Sequence, residues 1–133
     1  MTLSPRLIRP VIGGSILVLL AMATSGDSIT AKNLKSQLGR KNVPLIVDVR
    51  SRSEYLYGHI PGAIHLPFWS LLWRHAPIAQ DQQRQTVIYC EHGPRAVLAR
   101  ALLSMVGKGD VALLEGHMSG WRRAGLPQRS GAK

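Results

Sequence analysis

Cysteine is nearly absent from this chain: its 133 residues hold one, Cys90. One cysteine closes no disulfide within the chain, so the thiol is free, intermolecular or chemical. No Cys/His spacing of the kind that binds zinc accompanies it. Acidic residues are also few, 7 Asp and Glu against 17 Lys and Arg, and the formal net charge is +10. The basic residues are scattered, without a Lys/Arg run interleaved with aromatics and without an RNA-binding signature, so nothing points to nucleic acid. A basic surface of this kind raises the local concentration of anionic substrates. Internal repeats and low-complexity tracts are missing too. What is present, 45% hydrophobic and 18% charged residues, suits one folded domain.

Residues 1–23 differ from everything after them. Arg6 and Arg9 form a short basic head, residues 11–23 are apolar apart from Ser15, and Ala21-Met22-Ala23 has the small-x-small pattern of a signal-peptidase site. As a helix, 11–23 rises only ~20 Å, short of the roughly 30 Å hydrocarbon core. The segment therefore reads as a cleaved secretory signal. The other reading is an uncleaved membrane anchor through residues 7–23. The expected location is correspondingly exported and periplasmic, or anchored in the inner membrane facing the periplasm. Removing the segment takes two arginines and no acid, so the remainder stays basic.

Beyond a linker at 24–28, a domain is expected over 29–128, with a loose tail at 129–133. Thr30 is a plausible N-cap for a short helix carrying Leu34 and Leu38 and ending near Gly39. The β-branched run 45–49 reads as a buried strand. Ser51 with Glu54 forms a capping-box pattern, and Gly58 stops the helix it opens. A turn at 59–62 leads to a short strand around 63–66. A helical segment follows at 70–75, in which Leu71, Leu72 and Trp73 define no single face. Residues 86–90 and 111–114 read as strands, 96–106 as a helix, and a last short helix carries Trp121. Strands alternating with helices predict an α/β fold with a mostly parallel sheet covered on both faces.

Cys90 ends an apolar strand immediately before a helix, the place where open α/β sheets bind ligands. Gly93 allows a tight loop whose backbone N–H groups converge, and Pro94 suits the first helical turn. The helix adds free N–H groups and the positive end of its dipole, so an anion is stabilised there without a metal or cofactor. Two anions are relevant, the Cys90 thiolate and a charged donor that it attacks. Arg95 adds a planar cation suited to a sulfonate-, sulfate- or phosphate-like group. Glu91 opposes the thiolate if it points inward, His92 favours it if protonated, and both are neutral to the chemistry if solvated.

Three ordered motifs carry a family resemblance. Asp48-Val49-Arg50, Glu54-Tyr55 and the run from Gly58 to Pro67 (GHIPGAIHLP) resemble the first signature of rhodanese-like domains. Cys90-Glu91-His92-Gly93-Pro94-Arg95-Ala96 is similar to their active-site loop. The segment from Leu114-Glu115-Gly116-His117 through Trp121 to Pro127 resembles their closing signature. The resemblance implies a three-layer α/β domain with a five-stranded, mainly parallel sheet. It also implies a ping-pong sulfurtransferase in which Cys90 takes sulfane sulfur from a small anionic donor such as thiosulfate, holds it as a persulfide and passes it on. The acceptor is cyanide, a thiol or a sulfur-carrier protein.

The remaining motif residues read as architecture: Asp48 braces the loop, Arg50 and Glu54 are spaced for a local ion pair, and Trp121 packs in the core or rim. One departure stands out. His117 occupies a position where the family often has a second glycine, and a positive φ there is tolerated by His at some cost. The alternatives are a non-catalytic, partner-binding rhodanese-like module and a cysteine phosphatase or arsenate reductase. Against the latter, four residues rather than five separate Cys90 from Arg95, and the loop holds no aspartic acid.

Overall fold

The computed structural model describes residues 27–132. The signal or anchor segment, residues 1–23, and residues 24–26 of the linker lie outside this range. Five parallel strands form one sheet in the order β1-β5-β4-β2-β3: β1 (Ser28–Ile29), β2 (Leu45–Asp48), β3 (Ile64–His65), β4 (Thr86–Tyr89) and β5 (Val111–Leu114). Six α-helices connect and cover them: α1 (Ala31–Gln37), α2 (Arg52–Tyr57), α3 (Leu71–Arg74), α4 (Ala76–Gln80), α5 (Pro94–Met105) and α6 (His117–Arg123). A 3-10 turn over Phe68–Ser70 precedes α3. This is the three-layer parallel α/β architecture expected from the alternation of elements.

Side-chain alternation along the central strands explains why both faces are covered. On β4, Val87 and Tyr89 enter one core with Leu34, Ile46, Met118 and Trp121, while Ile88 and the following Cys90 enter the other with Val47, Val49, Leu71, Ala99 and Leu103. A strand apolar on both sides is stable only between two helical layers, which is the usual state of a parallel sheet. The local signals hold as read. Thr30 accepts from the Asn33 amide at the start of α1, and Ser51 and Glu54 form a complete capping box on α2. Trp121 is fully buried, and its Nε1 donates to the Pro127 carbonyl at 2.7 Å.

Four expectations are corrected. Ser28, placed in the linker, already pairs with Leu113 in β1; a two-residue edge strand is too short to carry an alternating pattern. The tail is held rather than loose: Arg129 and His59 exchange both backbone hydrogen bonds at 2.9 Å, and the Gly131 amide donates to the Leu56 carbonyl at 2.8 Å. The helix read over 96–106, with Pro94 in its first turn, runs over Pro94–Met105, and Gly93 stands at φ 133° just before it. Arg50 and Glu54 do not pair with one another; each is committed to another partner, described below. In α3, Leu71 is buried while Leu72 and Trp73 are exposed, which assigns the face that the sequence left open.

Candidate active site

The chain steps outward one way from β2 to β3 and the other way from β4 to β5. The carboxyl ends of β2 and β4 therefore flank the topological switch point, where a crevice forms in open α/β sheets. Asp48 closes β2 and pairs in register with Tyr89 at the end of β4, so Asp48, Arg50 and Cys90 are brought to one place.

Cys90 is 1% exposed. Its Sγ accepts a hydrogen bond from the Gly93 amide at 3.0 Å, so the loop curls back on the sulfur. Gly93 achieves this with φ 133°, a conformation closed to residues with a Cβ. Pro94 then opens the twelve-residue helix α5, and Ala96 is fully buried beneath the loop. The sulfur thus sits at the amino end of a helix, where backbone dipoles favour negative charge. His92 is exposed at the rim.

The charged residues form a scaffold around this loop. The Arg50 guanidinium, 1% exposed, donates through Nε and Nη2 to Asp48 (3.0 and 2.7 Å), through Nη2 to the Gly58 carbonyl (2.7 Å) and through Nη1 to Glu91 Oε2 (3.1 Å). Glu91 is also paired with Arg122 of α6. It is therefore turned out of the loop and fully engaged, so neither the inward nor the solvated reading of this residue applies. Asp48 is linked to the loop through Arg50 and Glu91. Burial, with the nearby Asp48 charge, pushes the Tyr89 hydroxyl well above the ordinary phenol range, so it stays protonated. The Tyr89 oxygen accepts from the Ile60 amide at 3.1 Å.

Arg95 lies at the first turn of α5, yet its fork is closed on Glu54, with Nη1 and Nη2 at 2.7 and 2.8 Å from the two carboxylate oxygens. Arg95 holds Glu54 far below the usual carboxylate range, and Glu54 in turn raises the Arg95 pKa, with a smaller contribution from Cys90. Arg95 and Glu54 therefore form a neutral pair, and the terminal nitrogens of Arg95 serve that structural pair. Both residues are about one-third exposed.

Three further contacts join the loop to α6. The Met118 amide donates to the Cys90 carbonyl (3.0 Å), the Ser119 amide donates to the Glu91 carbonyl (3.2 Å), and His117 Nδ1 accepts from the Cys90 amide (3.3 Å). Sequence reasoning missed the Glu54–Arg95 and Glu91–Arg122 pairs and the His117–Cys90 contact. The first two join residues 41 and 31 apart, which no local spacing reveals. The third had one signal, histidine in place of glycine.

The rhodanese-like domain family model matches residues 30–124. A sulfurtransferase from Allochromatium vinosum is 37% identical over 101 residues, covering 76% of this chain and 92% of that protein. The thiosulfate sulfurtransferase GlpE of Pseudomonas paraeruginosa is 34% identical over 83 residues, covering 62% of this chain and 74% of that one. Among solved structures, the Alr3790 protein from Anabaena sp. superimposes with a TM-score of 0.70 at 30% identity, over 78% of this chain and 83% of that chain. Of two further relatives, the chain spans 59% and 46% of their length.

Proposed function

The chain belongs to the rhodanese-like domain family, and on that premise we propose that it is a sulfurtransferase whose sulfur is carried on Cys90. In the first half-reaction the Cys90 thiolate attacks the outer sulfur of thiosulfate. A Cys90 Sγ–S bond forms, the S–S bond of the donor breaks, and its electron pair leaves with sulfite. In the second, cyanide or a thiolate attacks the terminal sulfur, the Sγ–S bond breaks with its electrons returning to Cys90, and thiocyanate or a persulfide departs. Dividing one transfer into two displacements is covalent catalysis, and the Gly93 amide stabilises the charged sulfur in both.

The observation that carries this reading is the Gly93 amide directed at Cys90 Sγ at the mouth of α5. Its donor, aimed where negative sulfur develops, needs no reorganisation during reaction. The basic balance of the chain, +10 overall, suits an anionic donor.

Intact mass after thiosulfate treatment tests the proposal. Wild type gains the mass of one sulfur, loses it to cyanide and releases thiocyanate, and Cys90→Ser gains none. A folded protein with a titratable thiol that gains no sulfur from any sulfane donor overturns the enzyme reading in favour of a binding module. Cys90-dependent hydrolysis of p-nitrophenyl phosphate in that protein would place it with the phosphatases instead. The basic head and apolar stretch of residues 1–23 further support export. Ala23→Asp is expected to leave a larger precursor than wild type in cell fractions, and equal sizes would refute cleavage at that site.

A further inference from the structure

His117 is the one residue other than glycine with a positive φ among the described residues, at 50°, directly after Gly116 at 73°. Such a backbone is uncommon outside glycine and goes with sites where a side chain is needed in a particular place. Here that place is against the active-site loop. His117 Nδ1 accepts from the Cys90 amide at 3.3 Å, and on the other edge of the ring Nε2 lies 3.3 Å from where a Cβ on Gly93 would stand. The imidazole thus spans the loop from the residue that bears the sulfur to the residue whose amide holds it.

We infer that His117 is a positioning residue for sulfur transfer, its neutral ring holding the Cys90 amide, and the loop closed on Gly93, in the shape that receives the transferred sulfur. This deepens the sulfurtransferase reading and rests on it.

The chemistry requires one protonation state. An amide N–H only donates, so Nδ1 must carry a lone pair and the proton must sit on Nε2. Protonating the ring puts an N–H on Nδ1 facing the N–H of Cys90, and the contact is lost. The titratable and charged groups on the elements around the ring are Cys90, Glu91 and His92 of the loop, Arg95 and Arg100 on α5, Arg122 and Arg123 on α6, and Glu115 in the turn before it. Glu91 is matched by Arg50 and Arg122, and Arg95 by Glu54. Burial, and after it the charge of His92, hold the His117 pKa below the ordinary imidazole value, so the neutral form persists through the neutral pH range.

The test has a spectroscopic arm and a kinetic arm, both on the full chain. In ¹⁵N-labelled Cys90→Ser, which removes the thiol titration, the amide of residue 90 is expected to shift in step with the His117 ring, with Nε2 protonated above the midpoint. In wild type, the rate of sulfur loading from thiosulfate, normalised to the Cys90 thiolate fraction, falls by about 10-fold per pH unit below that midpoint. His117→Asn removes this limb while keeping activity at pH 7. Asn tolerates a left-handed backbone, offers an acceptor near the position of Nδ1 and does not titrate. His117→Gly relieves the backbone but loses the acceptor, and loading slows relative to wild type above the midpoint. A residue-90 amide indifferent to the ring, an acid limb unchanged in His117→Asn, or undiminished loading in His117→Gly would overturn the inference. Failure of wild type to load sulfur at all counts against the sulfurtransferase reading instead, and the spectroscopic arm still decides the contact.

Discussion

At Glu54 a single carboxylate accepts from the Ser51 hydroxyl and amide (2.7 and 2.9 Å) and from both ends of the Arg95 fork. Glu54→Gln is expected to cost about 1–3 kcal/mol at pH 7, since a charge-assisted fork and part of a helix cap are lost together. The Glu54 pKa is lowered on folding, so its contribution is complete above the unfolded value and fades as pH falls through the folded one. The gap between wild type and Glu54→Gln in urea denaturation should thus be full above about pH 5 and narrow steadily on acidification. Arg50 is a harsher case. Its guanidinium neutralises Asp48, which is fully buried, so Arg50→Met leaves an uncompensated charge in the core. A loss of about 3–5 kcal/mol is expected by the same measurement.

At the scale of elements, the loop between β4 and α5 and the turn into α6 depend on backbone shapes that side chains resist. A Cβ on Gly93 would combine φ 133° with a 3.3 Å approach to His117. Gly93→Ala is therefore expected to turn the amide away from Cys90 and reduce sulfur loading at least about 10-fold, while the two core clusters on the sheet remain intact. Intact-mass kinetics beside circular dichroism separates the two effects. On the opposite side of the domain, buried Lys108 donates from Nζ to the carbonyls of Arg84 (3.0 Å) and Asp81. This ties the start of β5 to the segment entering β4. Lys108→Met strands those acceptors and is expected to lower stability by about 1–3 kcal/mol without changing loading by the folded enzyme.

Over the whole molecule, the charge of +10 acts on any anionic donor before contact. Its reach is set by screening, roughly 30 Å at 0.01 M salt and about 8 Å at 0.15 M. The second-order rate of loading from thiosulfate is expected to fall several-fold across that range, whereas transfer from an uncharged sulfane donor changes little. Stopped-flow loading at fixed pH measures both. Among the described residues no helix is long and apolar enough to cross a membrane.

The division between what could be read from the chain and what could not follows the range of the interactions involved. Caps, turns and strands such as Thr30, the Ser51–Glu54 box and 86–90 depend on residues a few positions apart, so the sequence by itself determined them. It determined the α/β class through alternation, and the place of Cys90 through the strand, glycine and proline around it. The two-residue strand β1 lay below that threshold, because its pairing with β5 is made by Glu115 and Leu113 amides reaching back to Ile29 and Asp27. Charge partners lay beyond it altogether. Glu54 had Arg50 at helical spacing and took Arg95 instead, because folding brings the first turn of α5 within reach of Glu54 and leaves Arg50 buried against Asp48. Only the tertiary structure decided these pairings, the role of Glu91 as a bridge between Arg50 and Arg122, and the contact of His117 with Cys90. Each is a through-space choice among several chemically equivalent partners, and packing, not spacing, selects among them.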